Sequence, residues 1–160
     1  MFIAIAWLTW LCGCDEGLSP ATQRALTGSF GGVIRFSNWQ AADSIYDIRL
    51  VAFRTFPPTS LIGEVQSGNA VVYPPIGSGP LVSSQTDSLV YLVTVPALTY
   101  KYVVVAQQYG PDVFSQWKPV GQYDLDSNLT VPSPVVVSPN DTTFGVDIVV
   151  DFAHPPPPPF

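Results

Sequence analysis

Charge is scarce in this chain. Lys, Arg, Asp and Glu together make up 11% of 160 residues, where an ordinary domain carries roughly 25%. The six Lys and Arg residues (Arg24, Arg35, Arg49, Arg54, Lys101, Lys118) are scattered, and the net charge is −6. Nucleic-acid binding needs clustered positive charge to displace counterions, so that class of partner is set aside. Histidine is nearly absent: the single one, His154, sits beside a proline run near the end. Without a second histidine, a catalytic triad or a conventional zinc site has no basis. GxGxxG, GxxxxGK[ST] and GxSxG are missing, and Gly28, Gly31 and Gly32 precede a strand where a phosphate cradle would follow one. Methionine occurs only at position 1, and helix-forming Lys and Glu are rare. No helix of convincing length and no internal repeat is visible.

Cysteine is confined to Cys12 and Cys14, so everything after them lacks disulfide and thiol chemistry. The stretch before them, Met1–Gly13, is apolar but short of the ~20 residues that cross a bilayer. It has the length of a secretory signal's apolar core; a core strand or helix is the remaining reading, though Cys-Gly-Cys is an odd end for one. Leu11-Cys12-Gly13-Cys14 resembles the lipobox of bacterial lipoproteins. The resemblance implies cleavage before Cys14 and lipid attachment to its sulfur. Anchoring by more than one acyl chain is stable, so the expected partner is a membrane, and the expected location is the cell envelope, on its periplasmic or surface face. Residues 14–27 then form a polar tether.

What is abundant is Val, Tyr, Phe and Thr, punctuated by seventeen prolines and twelve glycines. That is the chemistry of pleated surfaces joined by turns. Gly32–Phe36, Tyr46–Arg54, Leu61–Val65, Ala70–Tyr73, Ser88–Val95, Tyr100–Gln108, Trp117–Tyr123, Ser133–Val137 and Phe144–Phe152 read as strands. Tyr46, Ile48, Leu50 and Ala52 share one face of a half-buried strand with Asp47, Arg49 and Phe53 on the other, and Leu89, Tyr91, Val93 and Val95 share a face of another strand. Ser88–Val95 and Tyr100–Gln108 read as a hairpin around Pro96-Ala97-Leu98-Thr99, and Pro119 marks Trp117–Tyr123 as an edge strand. Eight or nine short strands separated by turns at about 8–12 residues or slightly more suit an all-β fold, a sandwich or a small barrel. It spans 28–153, after a signal peptide (1–13) and the tether. The proline run in 154–160 reads as a disordered tail, or as a polyproline II docking segment for an aromatic groove.

Gly31-Gly32-Val33-Ile34, then Tyr46–Phe53, then YLVTVPALTYKYVVV from Tyr91 to Val105 resemble the transthyretin-like sandwich of carboxypeptidase regulatory-like domains. The resemblance covers about residues 28–108. It implies a single antiparallel β-sandwich, a Greek key of prealbumin or immunoglobulin kind with seven to nine strands, serving as an accessory or adhesive module of an exported protein, and it brings no catalytic residues.

Candidate sites are few. Asp124-Leu125-Asp126-Ser127-Asn128 has the alternation that opens a calcium loop, but Leu129 and Val135 stand where an EF-hand needs Gly and Glu. Asp124, Asp126 and Asn128 therefore form a weak cation candidate beside the plainer reading of a polar turn. Trp39, Trp117 and Tyr109, with Phe114, fall in or near loops, where aromatic faces could stack on sugar rings; Trp39 and Trp117 equally suit plugs at the ends of the core. Asp147 and Asp151 are four apart on a strand, about 13 Å, too far for paired glycosidase carboxylates. The expectation is a non-enzymatic binding or structural module without a cofactor, engaging an envelope protein or glycan; a carbohydrate-binding module is the alternative.

Overall fold

A computed structural model describes residues 26–126 and 128–159. Cys14, the signal segment and all but the end of the tether lie outside them. Among the described residues no helix is long and apolar enough to cross a membrane.

The elements run β1 (Thr27–Ser37), β2 (Asp47–Phe53), α1 (Leu61–Gln66), β3 (Ala70–Tyr73), β4 (Ser88–Pro96), β5 (Thr99–Tyr100), β6 (Tyr102–Gln108), β7 (Trp117–Tyr123), β8 (Val135–Val136), β9 (Thr142–Thr143) and β10 (Ile148–Asp151). The chain is β-rich, as its composition requires. The main sheet has the order β3-β2-β6-β7-β10-β1-β4, with β9 also against β1; β5 and β8 form a separate pair. The sheet is mixed, not purely antiparallel. β1 runs parallel to β10, Ile34 opposite Ile148, and parallel to β9.

Alternation drives the packing. Phe30, Ile34 and Phe36 of β1, Ile48, Leu50 and Ala52 of β2, Tyr91, Val93 and Val95 of β4, and Ile148 and Val150 of β10 enter one buried cluster. β2 and β4 stand near opposite ends of the strand order and still share this cluster, so the sheet curls over its own concave face. Tyr91 donates its buried hydroxyl to the Val146 carbonyl at 2.5 Å, and burial, then Asp147 and Tyr123, push its pKa up.

Four further sequence expectations change. Leu61–Gln66 is helical. Ser60 Oγ accepts from Gly63 N at 3.2 Å, an N-cap, and Glu64 accepts from Thr59 N and Oγ1. Capping and the apolar Leu61/Val65 pair override the strand reading. The β4–β6 hairpin does not form either: β4 pairs with β1, whereas β6 lies between β2 and β7. Tyr100 is buried beneath the link and its hydroxyl donates to the Pro96 carbonyl at 3.0 Å, the bond of a tyrosine corner. Lys101 N then bonds Phe53 O, and the chain departs across the end of the core. Thirdly, β7 is central, between β6 and β10. Ala106 faces Pro119 and Val105 faces Gly121, which leaves Val120 as the extra residue of a bulge; a bulge is where an interior strand tolerates proline. Lastly, β2 buries both faces. Val51 and Phe53 join Tyr102, Val104 and Ala106 in a second cluster on the convex side, packed against Leu61 and Val65 of α1.

Candidate functional site

The convex face of β2, β6 and β7 carries a cavity of about 250 Å³. Its floor is Val51 and Val72; α1 supplies Leu61, Ile62 and Val65; Ile76 and Trp117 close the sides. Asp47, Arg49 and Gln108 stand at its polar end. The lining is thus an apolar body with a few fixed polar groups, the usual make-up of a small-molecule site.

Two devices shape it. The first is Arg49, which is 6% exposed. Its Nε donates to Asp47 Oδ2 at 2.7 Å. Its two terminal nitrogens reach the carbonyls of Pro74, Pro75, Ser78 and Gly79 at 2.9 to 3.1 Å. A loop rich in proline offers carbonyls without matching N–H groups, and one buried guanidinium with its rigid fork of donors gathers them. The loop that carries Ile76 is held in place this way. The second device is the 109–116 turn. Asp112 accepts from Phe114 N and Ser115 Oγ; these bonds, the Ser115 hydroxyl first, hold its carboxyl below the usual range. Gln116 Oε1 accepts from Asp112 N, and Trp117 Nε1 donates to Val113 O at 2.7 Å. The indole edge is thereby fixed against the cavity.

The three aromatics expected to bind ligand do not form one platform. Trp117 lines this cavity. Trp39 lines a different, more open depression of about 240 Å³ beside Tyr46 and Ile48. It stacks on Phe36 with centroids 5.0 Å apart, meets Phe152 at 4.7 Å, and donates Nε1 to the Thr86 carbonyl. Those contacts make it a plug at the end of the main core. Tyr109 is exposed at the start of the turn, and its backbone N–H bonds to Gln116 O.

Asp124, Asp126 and Asn128 stay together but turn their oxygens onto the chain. Asp124 Oδ1 accepts from Asp126 N, Asp126 Oδ1 from Asn128 N, and Asn128 Oδ1 from Thr130 N. These are successive Asx turns. Among the described residues no three His, Cys, Asp or Glu side chains are grouped to hold a metal ion. Asp147 accepts from Val33 N and lies 3.6 Å from Arg35. Asp151 accepts from Asn38 Nδ2 at 2.8 Å and from Ala153 N, and meets His154 Nδ1 at 3.0 Å. The bond from Asn38, then His154, holds the Asp151 carboxyl down to about 2.

Sequence reading found Trp117 and missed the rest of the cavity. The available signals were Asp47-x-Arg49, two residues apart on one strand face, and the surplus of carbonyls in Pro74-Pro75.

Comparison of the chain with protein families, curated proteins and solved structures finds no match. The cavity and its chemistry therefore carry the functional reading.

Proposed function

We propose that this chain is a non-enzymatic binding module, exported and held at the cell envelope by lipid on Cys14, with its ligand in the cavity beneath Trp117. In this reading the curled sheet is a sandwich of prealbumin or immunoglobulin kind. The observation that carries it is the cavity of about 250 Å³, apolar on its floor and walls and polar at one end. It suits a small ligand with an apolar body and a single polar group. The lipobox resemblance at Leu11–Cys14 supports the anchor.

The test uses the whole chain in detergent and an environment-sensitive apolar dye. Val65→Trp, which fills the cavity from α1, is expected to abolish the cavity-dependent part of the dye signal. An unchanged signal overturns the site. On a glycan array the chain is expected to stay silent; specific binding lost in Trp117→Ala would replace this reading with a carbohydrate-binding module. Labelling with a palmitate analogue is expected for the wild type and absent for Cys14→Ala; an unlabelled wild type overturns the anchor.

A further inference from the structure

The proline run has a definite place in the fold. After β10, Asp151 turns the chain: its backbone carbonyl accepts from His154 N at 3.2 Å, and its carboxylate accepts from Ala153 N at 2.9 Å. The chain is thereby aimed across the convex face. Pro156 is buried and shares a recess with Gly121 and Gln122 of β7 and Val149 of β10. Pro157, Pro158 and Pro159 border the next recess, an open one of about 300 Å³, with Phe56, Tyr102 and Gln122; Pro157 and Pro158 keep their outer sides in solvent. Pro159 also closes on Phe53, Tyr102 and Val104, leaving a gap of about 10 Å³, at most the space of one water.

The surface beneath the run is aromatic. Tyr102 is 2% exposed. Phe53 stacks on it at 5.6 Å and Phe56 leans on it at 5.2 Å and 60°. The Tyr102 hydroxyl is buried without a hydrogen-bond partner. Even with the run over it that hydroxyl finds no acceptor, so the complementarity is one of rings: polyproline brings rigid apolar rings and no N–H to an aromatic surface. The lengths also agree. Five prolines in a polyproline II helix rise about 3.1 Å each, some 12 Å from first to last. The path from β10 over β7 to β6 crosses two strand spacings, roughly 10 Å.

We propose that the Phe56–Tyr102 groove is a binding site for polyproline II segments, and that Pro155–Pro159 of the same chain occupies it. The run is a tethered ligand that screens the groove from any other proline-rich segment. A tethered ligand competes at an effective concentration in the millimolar range, so it weakens binding of a free segment without abolishing it.

The experiment compares the whole wild-type chain with a triple variant, Pro157→Ser, Pro158→Ser and Pro159→Ser, in detergent. The probe is the synthetic peptide AHPPPPPF, titrated by calorimetry. The peptide is expected to bind the triple variant about tenfold more tightly than the wild type. Phe56→Ala, placed in the triple variant, removes a half-buried ring that lines the recess and leans on Tyr102, and is expected to weaken the peptide severalfold. Equal binding to wild type and triple variant, or binding to neither, overturns the proposal, as does Phe56→Ala binding the peptide unchanged.

Discussion

Replacing Arg49 by methionine keeps the aliphatic stem and deletes the donors that hold the cavity's polar end. In the native chain the guanidinium is buried, 2.7 Å from Asp47 and 2.9 to 3.1 Å from four loop carbonyls. Removing one member of a buried pair strands the other, at a cost of about 3–5 kcal/mol. Released loop carbonyls recover some of that by turning to water, so the lower half of the range is the firmer expectation. For a domain of this size it corresponds to a fall in Tm of about 10–15 °C. Lysine in place of Arg49 keeps the charge but reaches fewer acceptors from a single nitrogen, and is expected to lose about half as much. Paired with Asp47→Leu, Arg49→Met is expected to cost less than the two single losses added, since each single change strands the other member of the pair and the double change strands neither. Thermal melts give the magnitudes, and limited proteolysis of residues 74–79 reports the loop. An Arg49→Met chain that melts within about 2 °C of wild type, with its loop no more cleavable, would refute the clamp.

Gly121→Ala places a Cβ 2.5 Å from the Val149 carbonyl and 2.8 Å from Val150 Cγ2; backbone cannot step aside, so denaturant unfolding should show a loss of about 1–3 kcal/mol, whereas Gly79→Ala, with open space around it, stays within about 0.5 kcal/mol. Tyr91→Phe strands the Val146 carbonyl and is expected to cost about 1–3 kcal/mol by the same measurement. The folded Asp151 carboxyl is depressed to about 2, below the ordinary aspartate value, so its contribution to stability is complete above the unfolded value and is lost as pH falls from there through about 2. Asn38→Ala is expected to move the carboxyl's NMR titration midpoint upward and to flatten that part of the acid limb; an unmoved midpoint contradicts the assigned cause.

Much of the concave side was legible in the sequence because one-sided burial writes itself as alternation. β4 shows this: Tyr91, Val93 and Val95 are buried while Val90 and Leu92 are exposed. The convex side was not legible. Val51 and Phe53 look like the outward residues of a half-buried strand until α1 is known to cover them, and LIGEV reads as a strand until Ser60 is seen to cap it. Pro119 signalled an edge because the pattern of single residues cannot show that Val120 bulges opposite Val105 and Ala106. Pairing was the weakest level. Nearness in sequence favoured a hairpin between β4 and β6, but Tyr100 carries the chain over the core to other partners. The site followed the same division: Trp117 stood out by residue type, while the cavity depends on long-range neighbours that no local pattern encodes.

The parallel seam between β1 and β10 sets an order of events. Ile34 has Ile148 as its strand partner, so β1 holds one edge open until nearly every other described strand has been made. Joining such distant segments requires closing a long loop before any contact rewards it, and chains built this way fold in milliseconds to seconds, not microseconds. A ribosome-bound chain emerging N-terminus first cannot zip this seam early. Until β10 arrives, β1 keeps unpaired N–H and C=O groups beside a run of apolar residues, which is the condition in which chaperones bind.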